Sequence, residues 1–204
     1  MSDYNLGFWD ERYSGEEYVY GTEPNQFFKE QIIKIHPVQN LLLPGEGEGR
    51  NAVYAAKLGW NVDAFDQSQV AKLKAEKLAK ESNVRINYSN ADLTKFFPQK
   101  NNYACAAIIF VHLPADIRFE FYKKVINALK PNGKIILELF SINQYGKNSG
   151  GPQNLEMLST IDEIKKGFEK LEPIILKEEN IHINEGEKHS GEASVIRFVG
   201  EKVL

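Results

Sequence analysis

The segment Gly45-Glu46-Gly47-Glu48-Gly49 limits what this chain can fold into more than any other feature. It follows a short apolar run at 41–43 and precedes a helical pattern that begins at Asn51. Glycine permits a tight turn and lets a ligand approach the backbone without a Cβ clash. The first amide groups of the following helix face the same crevice. The segment therefore predicts a strand–turn–helix unit with a ligand site at the turn.

Asp66 strengthens this interpretation because it ends the next predicted strand, 21 residues after Gly45. An acidic side chain at that position can accept hydrogen bonds from both hydroxyls of a ribose. A dinucleotide fingerprint has the spacing G-x-G-x-x-G, whereas here Arg50 occupies the sixth position and the spacing is G-x-G-x-G. The pattern favours a nucleoside without a pyrophosphate. A flexible turn without a ligand is the weaker alternative.

The other apolar patterns alternate between strand-like and helix-like segments, which predicts an α/β fold. The predicted strands are 39–43, 60–65, 84–88, 103–111 and 134–140, followed by a predicted antiparallel pair at 174–179 and 194–201. The predicted helices are 51–58, 70–81, 115–129 and 160–168, with a helix–loop–helix before residue 37. Parallel crossovers between the strands are expected to be right-handed.

Composition indicates one globular domain, because 204 residues with 42% apolar and 26% charged residues are typical of such a unit. We expect a single domain over 1–204, with an N-terminal helical lid segment at 1–38 and a Rossmann-like core at 39–204. The net charge of −3 leaves no basic surplus for a large nucleic-acid footprint. One cysteine, Cys105, excludes a disulfide framework and a cysteine-rich zinc site.

Location and partners follow from the same features. Residues 1–4 lack the basic and apolar regions of a signal peptide, and no apolar run has the length of a membrane span. A chain with one cysteine suits a reducing compartment, so we expect a cytoplasmic protein. The expected partner is a small-molecule substrate, with no nucleic acid, no membrane and no metal. The expected assembly is a monomer or a homodimer.

Residues 41–51, LLLPGEGEGRN, together with Asp66-Gln67-Ser68, resemble class I S-adenosylmethionine-dependent methyltransferases. The resemblance covers nearly the whole chain. It implies a Rossmann-like, seven-stranded methyltransferase sheet that is mostly parallel, with an antiparallel last strand and helices on both faces. The terminal strand pair predicted from the residues agrees with that sheet.

Further motifs place the resemblance within the tellurite-resistance and thiopurine methyltransferase group. The N-terminal matches are WDERY at 9–13 and YGTEPN at 20–25. The turn LKPNGK at 129–134 is typical of the wider superfamily, and SGGP at 149–152 follows the next strand.

The resemblance implies where the cofactor, S-adenosylmethionine, and its product S-adenosylhomocysteine would bind. Gly45 and Gly47 would face the methionine part, Asp66 the ribose hydroxyls and Asp92 the adenine amino group. A cap for the following turn is the alternative for Asp92. The implied cofactor-binding residues are Gly45, Glu46, Gly47, Asn51, Asp66, Gln67, Ser68, Ala91, Asp92, Leu93, Phe110 and Val111.

One position departs from the family pattern. The family carries an acidic residue two positions before the first glycine, where this chain has Leu43. Glu46 is the candidate to replace that acid, and a solvated surface side chain is the alternative. The departure leaves the affinity for the cofactor open.

Methyl transfer from a sulfonium requires an aligned acceptor and exclusion of water rather than a protein nucleophile. A base is needed only where the acceptor must lose a proton. His112 follows the buried strand at 103–111 and is the candidate base, because an unperturbed imidazole titrates near neutral pH. A loop histidine bonded to the backbone is the alternative. The weaker candidates are His36, His182 and His189.

Aromatic residues near the N-terminus predict a lid over the ligands. The predicted lid residues are Trp9, Arg12, Tyr13 and Tyr20. Their rings would shed water and attract a sulfonium by cation–π contact, and Arg12 could contact an anion. Ordinary packing of an extra helix is the alternative. Gly151, in the polar loop 141–158, predicts the opposite wall, with a disordered connector as the alternative.

These residues and the resemblance predict methyl transfer by in-line displacement to a thiol, a chalcogen oxyanion or a similar soft small-molecule acceptor. One alternative is a non-catalytic protein that binds S-adenosylmethionine or S-adenosylhomocysteine, because Leu43 lacks the acid. A second is an NAD-dependent oxidoreductase, which the glycine spacing opposes. A third is a nucleic-acid methyltransferase, which is opposed by the net negative charge and by the FVHLP sequence at 110–114.

Overall fold

The computed structural model describes residues 6–203 and shows a seven-stranded sheet flanked by helices. The strands are β1 (Asn40–Pro44), β2 (Asn61–Asp66), β3 (Asn87–Asn90), β4 (Tyr103–Ile109), β5 (Leu129–Phe140), β6 (Leu171–Asn184) and β7 (Ser190–Lys202). The helices are α1 (Leu6–Arg12), α2 (Gln26–Ile32), α3 (Arg50–Lys57), α4 (Gln69–Glu81), α5 (Ala115–Ala128) and α6 (Ile161–Gly167). The expectation drawn from residues 1–4 lies outside the described residues.

The sheet has the order β3-β2-β1-β4-β5-β7-β6, and β7 runs antiparallel to both of its neighbours. The other neighbouring strands are parallel. This confirms the predicted α/β fold. The strand order reverses between β1 and β4, so a crevice opens at their carboxyl ends, where open α/β sheets bind ligands. The glycine segment follows β1, and Phe110 follows β4.

The core lies on both faces of the central strands. Leu41, Leu42 and Leu43 of β1 are buried, as is most of β4. One apolar cluster packs the sheet against α5 and α6, and a second packs it against α2 and α3. Near-continuous apolar strands are what a parallel sheet covered on both faces requires. The rigid centre therefore positions the loops at the carboxyl ends of β1 and β4.

Several element boundaries differ from the sequence-based expectation. The third strand is Asn87–Asn90 rather than 84–88, because Val84 and Ile86 pack beside α4 before the chain joins the sheet. The last two strands are much longer than 174–179 and 194–201, since the polar residues between them continue the ladder to the turn. Within residues 6–203, no helix combines the length and apolar character needed to cross a bilayer.

Candidate active site

A cavity of about 710 Å³ lies at the carboxyl ends of β1 and β4. The sequence-predicted residues that line it are Trp9, Arg12, Tyr13, Tyr20, Gly45, Glu46, Gly47, Asn51, Asp66, Gln67, Asp92, Leu93, Phe110, Val111, His112 and Gly151. Ser68 and Ala91 lie outside the lining. Ser68 is fully buried as the N-cap of α4, and the amide of Ala91 donates to the carbonyl of Asp66. Both residues therefore hold the backbone next to Asp66 in place without lining the cavity.

Asp66 is fixed at the bottom of this cavity by backbone amides. Gly47 N donates to Oδ2 at 3.1 Å, and Ser68 N donates to Oδ1 at 2.9 Å. Burial raises the pKa of Asp66, while the amides of Ser68 and Gly47 oppose that rise. Each carboxylate oxygen can accept a further hydrogen bond. The side chain is therefore preorganised to accept two hydroxyl groups from a ligand.

The first two glycines form a cradle that a side chain would fill. Both Gly45 and Gly47 have φ of +63°. A Cβ on Gly45 would lie 2.8 Å from Val111 Cγ2, and a Cβ on Gly47 would lie 2.8 Å from Tyr13 Oη. The Gly47 carbonyl also accepts from Tyr88 Oη at 2.5 Å. The ligand-facing backbone of this turn is thus held in place from both sides.

Glu46 is half-buried and caps the helix that follows. Its Oε1 accepts from Ala52 N at 2.7 Å, and its Oε2 accepts from Asn51 Nδ2 at 3.4 Å. Gly49, at the N-cap, has no side chain to do this. Burial raises the pKa of Glu46 to about 7. Since the carboxyl group also lines the cavity, its charge near neutral pH depends on its surroundings.

Glu46 should make stability depend on pH. Its folded-state pKa lies above the 4.5 of a free glutamate, so its contribution to stability falls as pH rises from 4.5 to 7. Glu46→Gln removes this titration. We expect the free energy of unfolding of the variant minus that of wild type to be about 3 kcal/mol larger at pH 8 than at pH 4. Urea unfolding at the two pH values measures this, with the exposed Glu76→Gln as control. An equal difference at both pH values would contradict the assignment.

Glu48 and Lys74 hold the N-terminal segment against the glycine segment. Lys74 Nζ lies 2.6 Å from Glu48 Oε1 and donates to the carbonyls of Gly15 at 2.9 Å and Glu17 at 2.6 Å. Glu48 Oε2 accepts from Val19 N at 2.8 Å. One buried ion pair therefore fixes the loop between α1 and α2 in place, and this loop closes one side of the cavity.

Aromatic rings continue this side of the cavity inward. Trp9 stacks on Tyr13 at 5.6 Å between ring centroids, and Tyr13 meets the edge of Tyr20 at 6.3 Å. Arg12 lies over the ring of Phe8 at 5.0 Å. Among residues 6–203, no carboxylate lies within 4.0 Å of the Arg12 guanidinium. This N-terminal segment thus combines apolar rings with a cation that has no ion-pair partner in that part of the chain.

The far end of the cavity is lined by five rings. Phe110 and Phe140 stack at 4.5 Å, and His112 stacks on Phe140 at 5.5 Å. His189 meets Phe110 at 4.7 Å and Tyr20 at 4.5 Å. Phe110 has a φ of +52°, which an L-residue adopts at a cost and which points its ring into this cluster.

His112 is held by the backbone, as the alternative interpretation proposed. Its Nδ1 lies 3.3 Å from the Met157 carbonyl oxygen, so Nδ1–H donates and Nε2 carries the lone pair. Nε2 is buried without a hydrogen-bond partner. Burial lowers the pKa of His112 to about 3. A ring that stays neutral at physiological pH is a poor general base, because efficient bases have pKa values near the working pH.

The loop containing Gly151 is an ordered wall. Gln144 Nε2 donates to Ser149 Oγ and to the Gly150 carbonyl, both at 2.9 Å. Ser149 Oγ donates to the Glu192 carbonyl of β7 at 2.6 Å. A Cβ on Gly151 would lie 2.6 Å from the Phe140 ring. The loop is fastened to β7 and packs on the aromatic end of the cavity.

Asp92 also serves a local role, since its Oδ1 accepts from Thr94 N and Thr94 Oγ1, both at 2.8 Å. It nevertheless lines the cavity beside Gln67 and Leu93. A second, more open groove of about 820 Å³ shares Gln67 and Asp92 but includes none of the glycine segment. Within residues 6–203, no group of three or more histidine, cysteine or acidic side chains is arranged to hold a metal ion.

Sequence reasoning missed Phe140 and Glu185 and ranked His189 low. Phe140 ends β5 at the ligand-binding edge of the sheet, so its position could have been inferred from the strand assignment. His189 and Glu185 belong to the connection between β6 and β7, where no sequence pattern indicates which side chains turn toward the cavity.

A protein-family model described as a methyltransferase domain matches residues 42–133. This covers β1 to the turn within β5, including the glycine segment and Asp66. No curated protein matches the chain in sequence.

Solved structures similar to this chain have the same fold. One, described as "Conversion of a Disulfide Bond into a Thioacetal Group during Echinomycin Biosynthesis", is 14% identical with a TM-score of 0.76, covering 97% of this chain and 92% of that one. TehB from Haemophilus influenzae is 14% identical with a TM-score of 0.72, covering 97% and 66%. The Burkholderia thailandensis 1,6-didemethyltoxoflavin-N1-methyltransferase is 13% identical with a TM-score of 0.71, covering 98% and 88%.

The residues matched by the methyltransferase model include the glycine turn at 45–49 and Asp66, which line one end of the cavity. The sheet order is that of a class I methyltransferase, and the domain match leaves the oxidoreductase alternative without support. Over residues 42–133 the chain matches a methyltransferase domain, and this match together with the shared fold supports an enzyme with S-adenosylmethionine as its cofactor.

Proposed function

We propose that the protein transfers the methyl group of S-adenosylmethionine to a small, soft acceptor, a thiol or a chalcogen oxyanion, inside the 710 Å³ cavity. The observation that carries this proposal is that one cavity joins the glycine–Asp66 end to the aromatic end. Small-molecule sites span roughly 300–1,000 Å³. Since cofactor and acceptor share this space, the acceptor is small.

The residues of the first end suit the cofactor. Asp66 has lone pairs for two ribose hydroxyls, and the turn at Gly45 and Gly47 presents backbone without side chains to the methionine part. Asp92 and Gln67 border the adenine. Glu46 supplies a carboxylate near the position where the family acid is replaced by Leu43. When bound, the cofactor supplies a methyl group that is already activated for transfer.

The aromatic end aligns the acceptor atom with the methyl group of the cofactor and excludes water from the space around them. Alignment can lower the barrier by roughly 7–11 kcal/mol when the reacting atoms are held in line. Because His112 is neutral, the acceptor atom has to ionise without its help, as a thiolate or an oxyanion does. Arg12 contributes positive charge toward such an anion. The chemistry named for the thioacetal structure also involves sulfur, which supports a soft acceptor.

A methyl-transfer assay tests this proposal. Purified protein is supplied with S-adenosylmethionine and with thiols, selenite or tellurite, and formation of S-adenosylhomocysteine is measured. We expect turnover on at least one of these acceptors and none with Asp66→Ala. Cofactor binding without turnover on any acceptor would favour the non-catalytic alternative instead.

His112→Asn tests whether a base takes part. Asparagine keeps an amide donor for the Met157 carbonyl but cannot accept a proton. We expect the kcat of His112→Asn to stay within about threefold of the wild-type kcat at every pH from 6 to 9. Loss of a general base would lower kcat far more, by roughly 10²–10⁴-fold. The pH–rate profile measures this. Loss of a titrating limb from the profile of His112→Asn would contradict the neutral role and restore His112 as the base.

A further inference from the structure

Glu185 is a partly buried carboxylate at which three elements meet. It lies in the connection between β6 and β7, and its side chain is 12% exposed. Its Oε2 pairs with Arg50 NH2 at 2.8 Å, and its Oε1 accepts from Asn25 Nδ2 at 2.9 Å. Arg50 begins α3 directly after the glycine segment, and Asn25 is the N-cap of α2. One carboxylate therefore links the cofactor turn and the lid segment to the last hairpin.

His189 is the third partner of this carboxylate. Its Nδ1 is buried without a hydrogen-bond partner and lies 3.6 Å from Glu185 Oε2. A movement of about 0.7 Å would bring the two atoms to hydrogen-bond distance. The other side of the ring faces the wall loop, since a Cβ on Gly150 would lie 3.3 Å from Nε2. Packing thus orients one ring nitrogen toward Glu185 and the other toward the Gly150 side of the cavity.

The electrostatics favour an ionised Glu185. Burial acts to raise the pKa of Glu185, but His189 and Arg50 outweigh it and lower the pKa to about 2. Burial lowers the pKa of His189, and Glu185 opposes that change. His112 has no such partner, because its Nδ1 is occupied by a carbonyl. The charged or titratable groups that face this pair are Arg12, Tyr20, Arg50, Glu138 and His112.

We propose that Glu185 is a positioning residue that holds the imidazole proton of His189 on Nδ1 and so leaves the Nε2 lone pair for an O–H, N–H or S–H group of the acceptor. The role of Nε2 rests on the proposed methyl transfer, whereas the position of the proton does not. The ion pair with Arg50 keeps the Glu185 carboxylate oriented. Glu185 therefore contacts the N-terminal segment through Asn25, the cofactor turn through Arg50 and the acceptor end through His189.

Nitrogen NMR of histidine-labelled protein tests the position of the proton. The signals of His189 are assigned by their loss in His189→Gln, and spectra are recorded with and without S-adenosylhomocysteine. We expect a protonated Nδ1 and an unprotonated Nε2 in wild type near neutral pH. Glu185→Gln should shift the ring toward a mixture of the two tautomers. A wild-type ring protonated on Nε2 would overturn the proposal without any variant.

The same hairpin offers a matched control. His182 Nδ1 lies 3.3 Å from Glu192 Oε1 in an exposed pair, so Glu192→Gln removes a carboxylate beside a histidine away from the cavity. With an acceptor found in the panel, we expect Glu185→Gln to lower kcat about ten- to hundredfold, the worth of one hydrogen bond to a charged group. The affinity for S-adenosylhomocysteine should change by a smaller factor than kcat, and Glu192→Gln should change neither.

The two arms separate the possible failures. If no acceptor reacts, the proposed function fails, and the NMR result still decides the role of Glu185. If Glu185→Gln leaves both the His189 signals and kcat unchanged, Glu185 is a structural link only and the proposal is wrong. If Glu185→Gln does not fold, the same NMR measurement on Glu185→Asp and on wild type decides whether Glu185 controls the position of the His189 proton.

Discussion

Asp66→Ala is expected to weaken binding of S-adenosylhomocysteine by at least about 100-fold. A hydrogen bond to a charged group contributes roughly 1.5–3 kcal/mol, and each 1.4 kcal/mol is tenfold in affinity. Two ribose hydroxyls would lose such a partner, and the amides of Gly47 and Ser68 would lose their acceptor as well. Calorimetric titration of the two proteins measures the ratio of dissociation constants.

The control for this variant lies on the same strand. Asp63 accepts from Tyr103 Oη at 2.8 Å and from Asn87 Nδ2 at 2.7 Å, and it lies outside the cavity. Asp63→Ala should leave the dissociation constant within about twofold of wild type, since it removes no ligand contact. If Asp66→Ala binds the cofactor product as tightly as wild type does, the assignment of the ribose site is wrong.

Gly49→Ala is expected to lower the free energy of unfolding by about 2–5 kcal/mol. Gly49 has a φ of +90° at the start of α3, and a Cβ would lie 2.6 Å from Ala75 Cβ and 2.9 Å from Ala75 Cα. The left-handed backbone costs an alanine roughly 1–2 kcal/mol, and forced separation of α3 from α4 adds about 1–3 kcal/mol. Urea unfolding at neutral pH measures the change.

Gly146→Ala separates the two contributions. Gly146 has a φ of +81°, yet a Cβ there would meet no atom within 4 Å. We therefore expect only the backbone cost, about 1–2 kcal/mol. Equal effects of the two substitutions would mean that the contact between Gly49 and Ala75 does not limit the packing of α3 on α4.

The fold could be predicted because its determinants are local. The apolar runs at β1 and β4 mark strands covered on both faces, and the glycine segment marks the turn between β1 and α3. Boundaries were less accurate where packing overrides pattern. Val84 and Ile86 are residue types typical of a strand, but their side chains pack against α4.

The site could be predicted only where it is built from consecutive residues. Gly45, Gly47 and Asp66 follow from the spacing of one strand–turn–helix–strand unit. The contact between Arg50 and Glu185 joins residues that are 135 positions apart, and nothing local to either residue indicates the other. His112 lines the cavity, and its neutral state depends on the burial supplied by Phe110 and Phe140, which its own sequence neighbourhood does not indicate.

A crystal structure with S-adenosylhomocysteine bound tests the central claim most directly, namely that one cavity holds the cofactor at Asp66 and the acceptor at the aromatic end. We predict the ribose hydroxyls on the Asp66 carboxylate and the sulfur facing the rings of Phe110, Phe140 and His189. A ligand bound in the neighbouring 820 Å³ groove, or one whose sulfur points away from those rings, would contradict the account.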